Sequence, residues 1–297
     1  MTPAIDIGLM PRLPAREAVG LVQRAEELGF DGVWIADSQS TFREAFSLLG
    51  ACAMVTERVL LTTGVTNPVT RLAPVLASAF ATLDELAPGR VVVAIGKGDT
   101  SVRTIGLKPP RLAEFEASVG RLRGMLAGED EAFQWGPHPL PIYVTASGPK
   151  ALRLAGRIGD GVLFQVGAHR RLVEYALREI AAGAHEAGRS LDDLVLCARV
   201  ACAVGDDRES ALAALGPYTR FALQTIRSAV PAEELPVDPA DDAALTRAAV
   251  IAGRADEVVA ALAALAAQGV DRVVAPIVGD GRAQLELLAE QVLPQLG

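Results

Sequence analysis

Two glycine-bearing loops carry the residue types from which a phosphate or cofactor site can be built. The first, Gly96-Lys97-Gly98-Asp99-Thr100, leaves an apolar run, "VVVAI". A turn of this kind invites a dinucleotide reading, because backbone N–H groups at a helix start can hold a pyrophosphate. The spelling excludes it. Ser101 stands where a third glycine is required, and the next helical pattern is expected only near Arg111. No Gly-Lys-Ser or Gly-Lys-Thr follows, so a Walker loop is excluded as well. The second loop, Ala146-Ser147-Gly148-Pro149, puts a proline at what should be a first helical position. Free N–H groups and the helix dipole favour an anion there, and Gly148 lets one approach the backbone. Capping of the helix by Ser147 is the equal alternative.

Other polar residues fall at the ends of apolar runs. Asp37-Ser38-Gln39 follows "GVWIA", and Gly64-Val65-Thr66-Asn67 follows "VLLTT". Asp37 and Asp99 read either as loop or cap residues or as acceptors that position a cofactor ring or substrate. Lys97 could pair with a cofactor anion or stay solvated. Gln165 lies in "GVLFQVG", and an inward-facing amide in such a strand must find hydrogen-bond partners. His138, His169 and His185 lie in separate segments without ligand spacing, so no metal site is expected. Neither a Ser-His-Asp order nor a hydrolytic pair of acids falls on the strand ends. Side chains alone are under-equipped, which favours an organic cofactor.

The elements that must position these residues alternate along the chain. Eight strands are predicted, over 5–10, 32–37, 59–66, 90–96, 141–147, 161–167, 194–204 and 271–279, separated by helical stretches. In "PAREAVGLVQRAEELG", Ala18, Leu21, Val22, Ala25 and Leu28 recur on one helical face and Gly29 supplies the stop. Eight βα units close a (β/α)8 TIM barrel, whereas doubly wound sheets have fewer strands and a switch point. Two insertions are expected, Gly128–Pro141 before the fifth strand and Gly205–Arg254 between the seventh and eighth. The whole chain, 1–297, reads as one α/β domain. In such barrels the active site lies at the C-terminal ends of the strands, where the loops above fall.

A net charge of -8 and a pI near 5.1 argue against nucleic acid as a partner. No apolar run reaches membrane-spanning length and the start lacks a signal-peptide pattern, so a cytoplasmic protein is expected. The three cysteines, Cys52, Cys197 and Cys202, contain no Cys-x-x-Cys and are expected to be buried fillers. A small molecule and further copies of the chain are the expected partners.

The ordered segments "LGFDGVWIAD", "TTGVTNPVTR", "ASAFATLDELAPGRVVVAIGKGD" and "PIYVTASGPKALRLAGRIGDGVLFQVG" resemble the luciferase-like superfamily of flavin- and F420-dependent oxidoreductases. The similarity is greatest to the methylenetetrahydromethanopterin reductase branch and covers almost the whole chain. It implies a barrel that binds coenzyme F420, or FMN in other branches. The cofactor would lie against Ser38, Gly64, Val65, Thr66, Gly96, Lys97, Gly98, Asp99, Thr100, Ala146, Ser147 and Gly148, with its phosphate at Ser147-Gly148. A cis peptide is implied at Gly64-Val65. Asp37 and Gln165 would orient ring or substrate during hydride transfer, with FMN-dependent monooxygenation or mere flavin binding as alternatives. Two departures leave the substrate unassigned: Gly8 stands where the reductases carry a glutamate, and Ser38 where alcohol- and sugar-phosphate-oxidising relatives carry a histidine.

Overall fold

Short β-branched runs joined by helices bury both faces only in a parallel sheet with helices packed outside it. The computed structural model describes residues 2–131, 133–134, 136–277 and 281–296. The strands that form the sheet are β1 (Ala4–Leu9), β2 (Gly32–Ile35), β3 (Leu60–Thr63), β4 (Val93–Ile95), β5 (Ile142–Ala146), β6 (Gly161–Phe164), β7 (Val195–Arg199) and β10 (Arg272–Ile277). They form one eight-stranded parallel sheet in the order β3-β2-β1-β10-β7-β6-β5-β4. Parallel bridges Leu61↔Val91 and Thr66↔Ile95 join its two ends. The result is the expected (β/α)8 barrel.

Side-chain alternation fills the interior. Trp34, Val92, Ala94, Tyr143, Leu163, Cys197 and Val274 pack together inside it. At the N-terminal end of the barrel, Asp6 is fully buried, accepts from Trp34 Nε1 at 2.8 Å and takes two bonds from the Arg272 guanidinium. Burial pushes the Asp6 carboxyl up, and the bonds from Arg272 and Trp34 oppose that rise. The opposite strand faces pack on helices α1 (Ala15–Glu27), α2 (Ala45–Ala53), α3 (Ala73–Leu86), α5 (Leu112–Leu126), α6 (Pro149–Ile158), α7 (Arg170–Glu186), α11 (Ala255–Ala267) and α12 (Gly281–Gln291). In α1 the buried residues are Ala18, Leu21, Val22 and Ala25, and Gly29 follows at φ 96°. All three cysteines are buried; burial pushes Cys52 and Cys202 up to about 12, so neither thiol is a nucleophile at neutral pH.

Three expectations change. The run expected as the seventh strand, 194–204, breaks into β7 and β8 (Cys202–Val204), and β8 pairs in parallel with β9 (Ile251–Gly253) in a separate two-stranded sheet. Periodicity cannot detect this, because both pieces are apolar and buried. A helix α4 (Asp99–Arg103) starts directly after Gly98, whereas the sequence suggested none before Arg111; α5 begins at Leu112. Its brevity hides it from any periodic test. β6 ends at Phe164, so Gln165 stands just past the strand rather than within it. The end of the expected eighth strand, Val278 and Gly279, lies outside the described residues. The second insertion contributes α8 (Arg208–Leu215), α9 (Tyr218–Ala229) and α10 (Asp242–Ala249) ahead of β9.

Candidate cofactor and active site

Because the strands are parallel, the loops after β2, β3, β4, β5 and β6 emerge on one rim, and Asp37, Gly64, Asp99, Ser147 and Gln165 all lie there. Asp37 is buried, and Thr66 Oγ1 donates to its Oδ2 at 2.7 Å. Arg71 Nε donates to the same oxygen at 2.8 Å and Arg71 Nη2 to Oδ1 at 3.1 Å. Arg71 also bonds Glu44 and stacks over the Phe46 ring. The Asp37 carboxylate is thus fully engaged with this chain, a geometry suited to positioning rather than to proton transfer.

The β3 end is shaped by glycine. A Cβ at Gly64 would lie 3.0 Å from Trp34 Cβ, and the Gly64-Val65 peptide is cis, at the place the resemblance implied. A Cβ at Gly96 would lie 3.0 Å from Val65 Cγ2 and 3.5 Å from Thr145 Cβ, so Val65, Gly96 and Thr145 share one patch of the rim. Gly98 has φ 80°, and a Cβ there would fall 2.6 Å from Asn67 Cβ. Asn67 is fully buried and ties the loops after β3 and β4: it accepts from Val69 and Thr70 N–H and donates to Ser101 Oγ, while Gln39 from the loop after β2 donates to the Ser101 carbonyl. Lys97 is half-buried, whereas Asp99 and Thr100 are exposed on α4, where Asp99 pairs with Arg103 at 3.6 Å. The Asp99 carboxylate is therefore not brought to Asp37.

At the end of β5, Pro149 opens α6 with Gly148 at the cap position and no side-chain cap bond. Ser147 does not cap the helix, which leaves first-turn N–H groups without side-chain acceptors. Ser147 and Gly148 are half-buried, and a Cβ at Gly148 would lie 3.4 Å from the Ala229 carbonyl at the end of α9. Two buried hydroxyls at strand ends of the same rim, Ser38 Oγ after β2 and Thr145 Oγ1 on β5, have no hydrogen-bond partner among the described residues. An anion cradle and two unpaired hydroxyls on one rim suit a phosphate-bearing polar ring, so the residues fit F420 or FMN.

Gln165 is half-buried with its N–H donating to the Ala146 carbonyl at 3.2 Å, and its side chain lines a small cavity with Arg199 and Tyr218. Arg199 Nη1 reaches across the barrel to the Gly64 carbonyl at 3.2 Å. Arg199, Arg71, Thr145 and Tyr218 also reach the rim, although no motif in the sequence singled them out. Arg199 had a signal, a lone charge in "LVLCARV" with the parity of inward-facing Cys197; Tyr218 had none. On strand one, a Cβ at Gly8 would lie 3.3 Å from Pro276 Cα, which leaves little room for the absent glutamate. Among the described residues no group of three or more His, Cys, Asp or Glu could hold a metal, and no helix is long and apolar enough to cross a membrane.

Comparison with known proteins bears on the fold and the family. A 5,10-methylenetetrahydromethanopterin reductase of Methanolobus tindarius is 35% identical over 70% of this chain and 68% of its own. An F420-dependent glucose-6-phosphate dehydrogenase of Beutenbergia cavernae is 37% identical over 70% of each chain. The structure of the coenzyme F420-dependent tetrahydromethanopterin reductase of Methanopyrus kandleri superposes with a TM-score of 0.83 over 100% of both chains at 25% identity. Residues 3–272 match the family model described as luciferase-like monooxygenase, and the chain belongs to that family.

Proposed function

We propose that this protein is an F420-dependent oxidoreductase that exchanges a hydride with a small organic substrate. The observation that carries the reading is the uncapped N-terminus of α6 at Ser147-Gly148, on the same rim as the unpaired hydroxyls of Ser38 and Thr145. Ser147, Gly148 and the first-turn N–H groups would hold the cofactor phosphate. The ring would rest on the Gly64-Val65 segment, with the loop Gly96 to Thr100 and Ala146 at its edges and Lys97 available to an anionic group. F420, when bound, supplies a two-electron hydride carrier that needs no oxygen site. Asp37 acts by holding Thr66 and Arg71 in place, and Gln165 orients ring or substrate through its amide. The relatives named for F420 support this cofactor over FMN.

The test is titration of F420 and of FMN, separately, into the wild-type protein and Gly148→Asp. An acid at Gly148 sets like charges a few Å apart, a repulsion of roughly 4 kcal/mol at an effective dielectric near 20. The affinity of the preferred cofactor should fall at least about tenfold. Tighter binding of FMN than of F420 would select the monooxygenase reading, and equal affinity in the folded variant would move the phosphate elsewhere. We also propose a cytoplasmic homo-oligomer. An apolar groove between α2 and α3 is lined by Phe46, Gly50, Pro74, Val75, Ser78 and Leu86, of which Val75 and Leu86 are exposed, so this face offers apolar surface to a second copy.

A further inference from the structure

The loop after β4 runs through α4 and on to α5 along a stretch that buries little of itself. Within residues 99–110 only Ser101 and Val102 are buried. Ile105 and Leu107, its other large apolar residues, are 44% and 49% exposed, so apolar packing anchors the stretch at Val102 alone. Gly98 at φ 80° and Gly106 at φ 77° bound α4 in a backbone region that other residues avoid. Little buried surface between two permissive hinges is the physical description of a segment that opens ahead of the rest of the fold. Polar contacts hold it instead. Asn67 is the fixed post: its Oδ1 accepts from Val69 N–H at 3.1 Å and Thr70 N–H at 2.9 Å, and its Nδ2 donates to Thr70 Oγ1 at 2.8 Å, so three bonds lock the amide to its own loop. The fourth crosses to α4, where Nδ2 donates to Ser101 Oγ at 3.0 Å. From the loop after β2, Gln39 Nε2 donates to the Ser101 carbonyl at 2.9 Å. Two loops thus grip Ser101, one at its hydroxyl and one at its carbonyl.

We infer that Gln39, Asn67 and Ser101 form a latch, and that the segment 98–106 which they hold is a gate for cofactor entry and exit. All three are positioning residues, acting through the segment rather than on the cofactor. Asp99 and Thr100 ride on the gate, so the inference rests on the proposed placement of the cofactor beside the loop 96–100. The latch bonds join only groups of this chain, so they stabilise the closed segment to the same extent with and without cofactor. That equality fixes the kinetics. Weakening one bond raises the open population of the free and the loaded protein by a common factor, so entry and exit quicken together while the affinity stays where it was. A residue in direct contact with the cofactor would change the affinity instead.

Two variants each delete one latch bond. Ser101→Ala removes the hydroxyl, and Gln39→Glu exchanges an exposed donor for a carboxylate that cannot donate to the Ser101 carbonyl. Stopped-flow binding of F420 should find kon and koff both raised about three- to tenfold, one hydrogen bond's worth, with Kd changed less than about twofold. In the protein without cofactor, hydrogen exchange at the Thr104 and Leu107 amides, which donate to the Thr100 and Val102 carbonyls, should quicken by the same factor. Unchanged exchange in both folded variants overturns the latch. Unchanged kon and koff, or a koff that rises alone and weakens Kd, overturns the gate. If F420 fails to bind while exchange still depends on Ser101, the latch stands and the cofactor reading falls.

Discussion

Breaking the Asp37–Arg71 pair should expose how the rim is held. Asp37 keeps only 4% of its side chain exposed against 21% for Arg71, so the carboxylate is the deeper and less solvated partner. In Arg71→Met the carboxylate loses two of its three bonds and keeps only the Thr66 hydroxyl. Removing one partner of a buried pair costs about 3–5 kcal/mol, because the other charge stays buried and uncompensated. In Asp37→Asn the amide oxygen can still accept, and Arg71 retains Glu44, the Phe46 ring and some solvent. That variant should therefore lose less, about 1–3 kcal/mol. The double variant should cost less than the sum, with a coupling of at least about 1.5 kcal/mol. Equilibrium urea denaturation of the four proteins, compared at constant m-value, measures these terms, and F420 titration into each reports the rim. Arg71→Met losing under about 1 kcal/mol, or additivity within about 0.5 kcal/mol, would refute the argument that this pair is a buried strut.

Three further outcomes are expected. Glu26 accepts from the N–H groups of Glu57, Arg58 and Val59, the approach to β3; burial pulls its carboxyl up, but these bonds outweigh it and hold it below the usual range. Its contribution is therefore fully present above about pH 4.3, the unfolded value, and is lost as pH falls through the depressed folded value. Glu26→Gln should cost about 1–2 kcal/mol at pH 7, with the gap from wild type closing in acid; a gap constant with pH would refute it. Gly98→Ala combines φ 80° with a Cβ at 2.6 Å from Asn67, so stability should drop by at least about 2 kcal/mol and cofactor affinity with it; an unchanged denaturation midpoint would show that the loop yields freely. Sedimentation equilibrium should find the wild-type chain associated and Leu72→Glu/Val75→Glu monomeric, and a wild-type monomer at 100 μM, well above about the 1 μM Kd of a modest dimer, would remove the α2–α3 interface.

Sequence alone determined what depends on local pattern. Strand number follows from apolar runs, helix faces from spacing, and the Pro149 helix start from a ring that fixes φ; β1 to β6 and α1 stand close to where those signals put them. The rim residues were legible for the same reason, since strand ends in a parallel barrel share one side. Tertiary structure decided the rest. Asp37 read as a candidate for chemistry, but its partner Arg71 lies 34 residues away, and no local signal says that the two meet. The expected seventh strand split because β9, supplied by the insertion, captures its second half, a pairing set by the path of the chain rather than by composition. Tyr218 reaches the rim only because α9 folds back over β6 and β7. Periodicity records which residues a chain must bury; which buried groups face one another is fixed by loop paths and packing, and that is where the charge pair and the cavity of this protein were made.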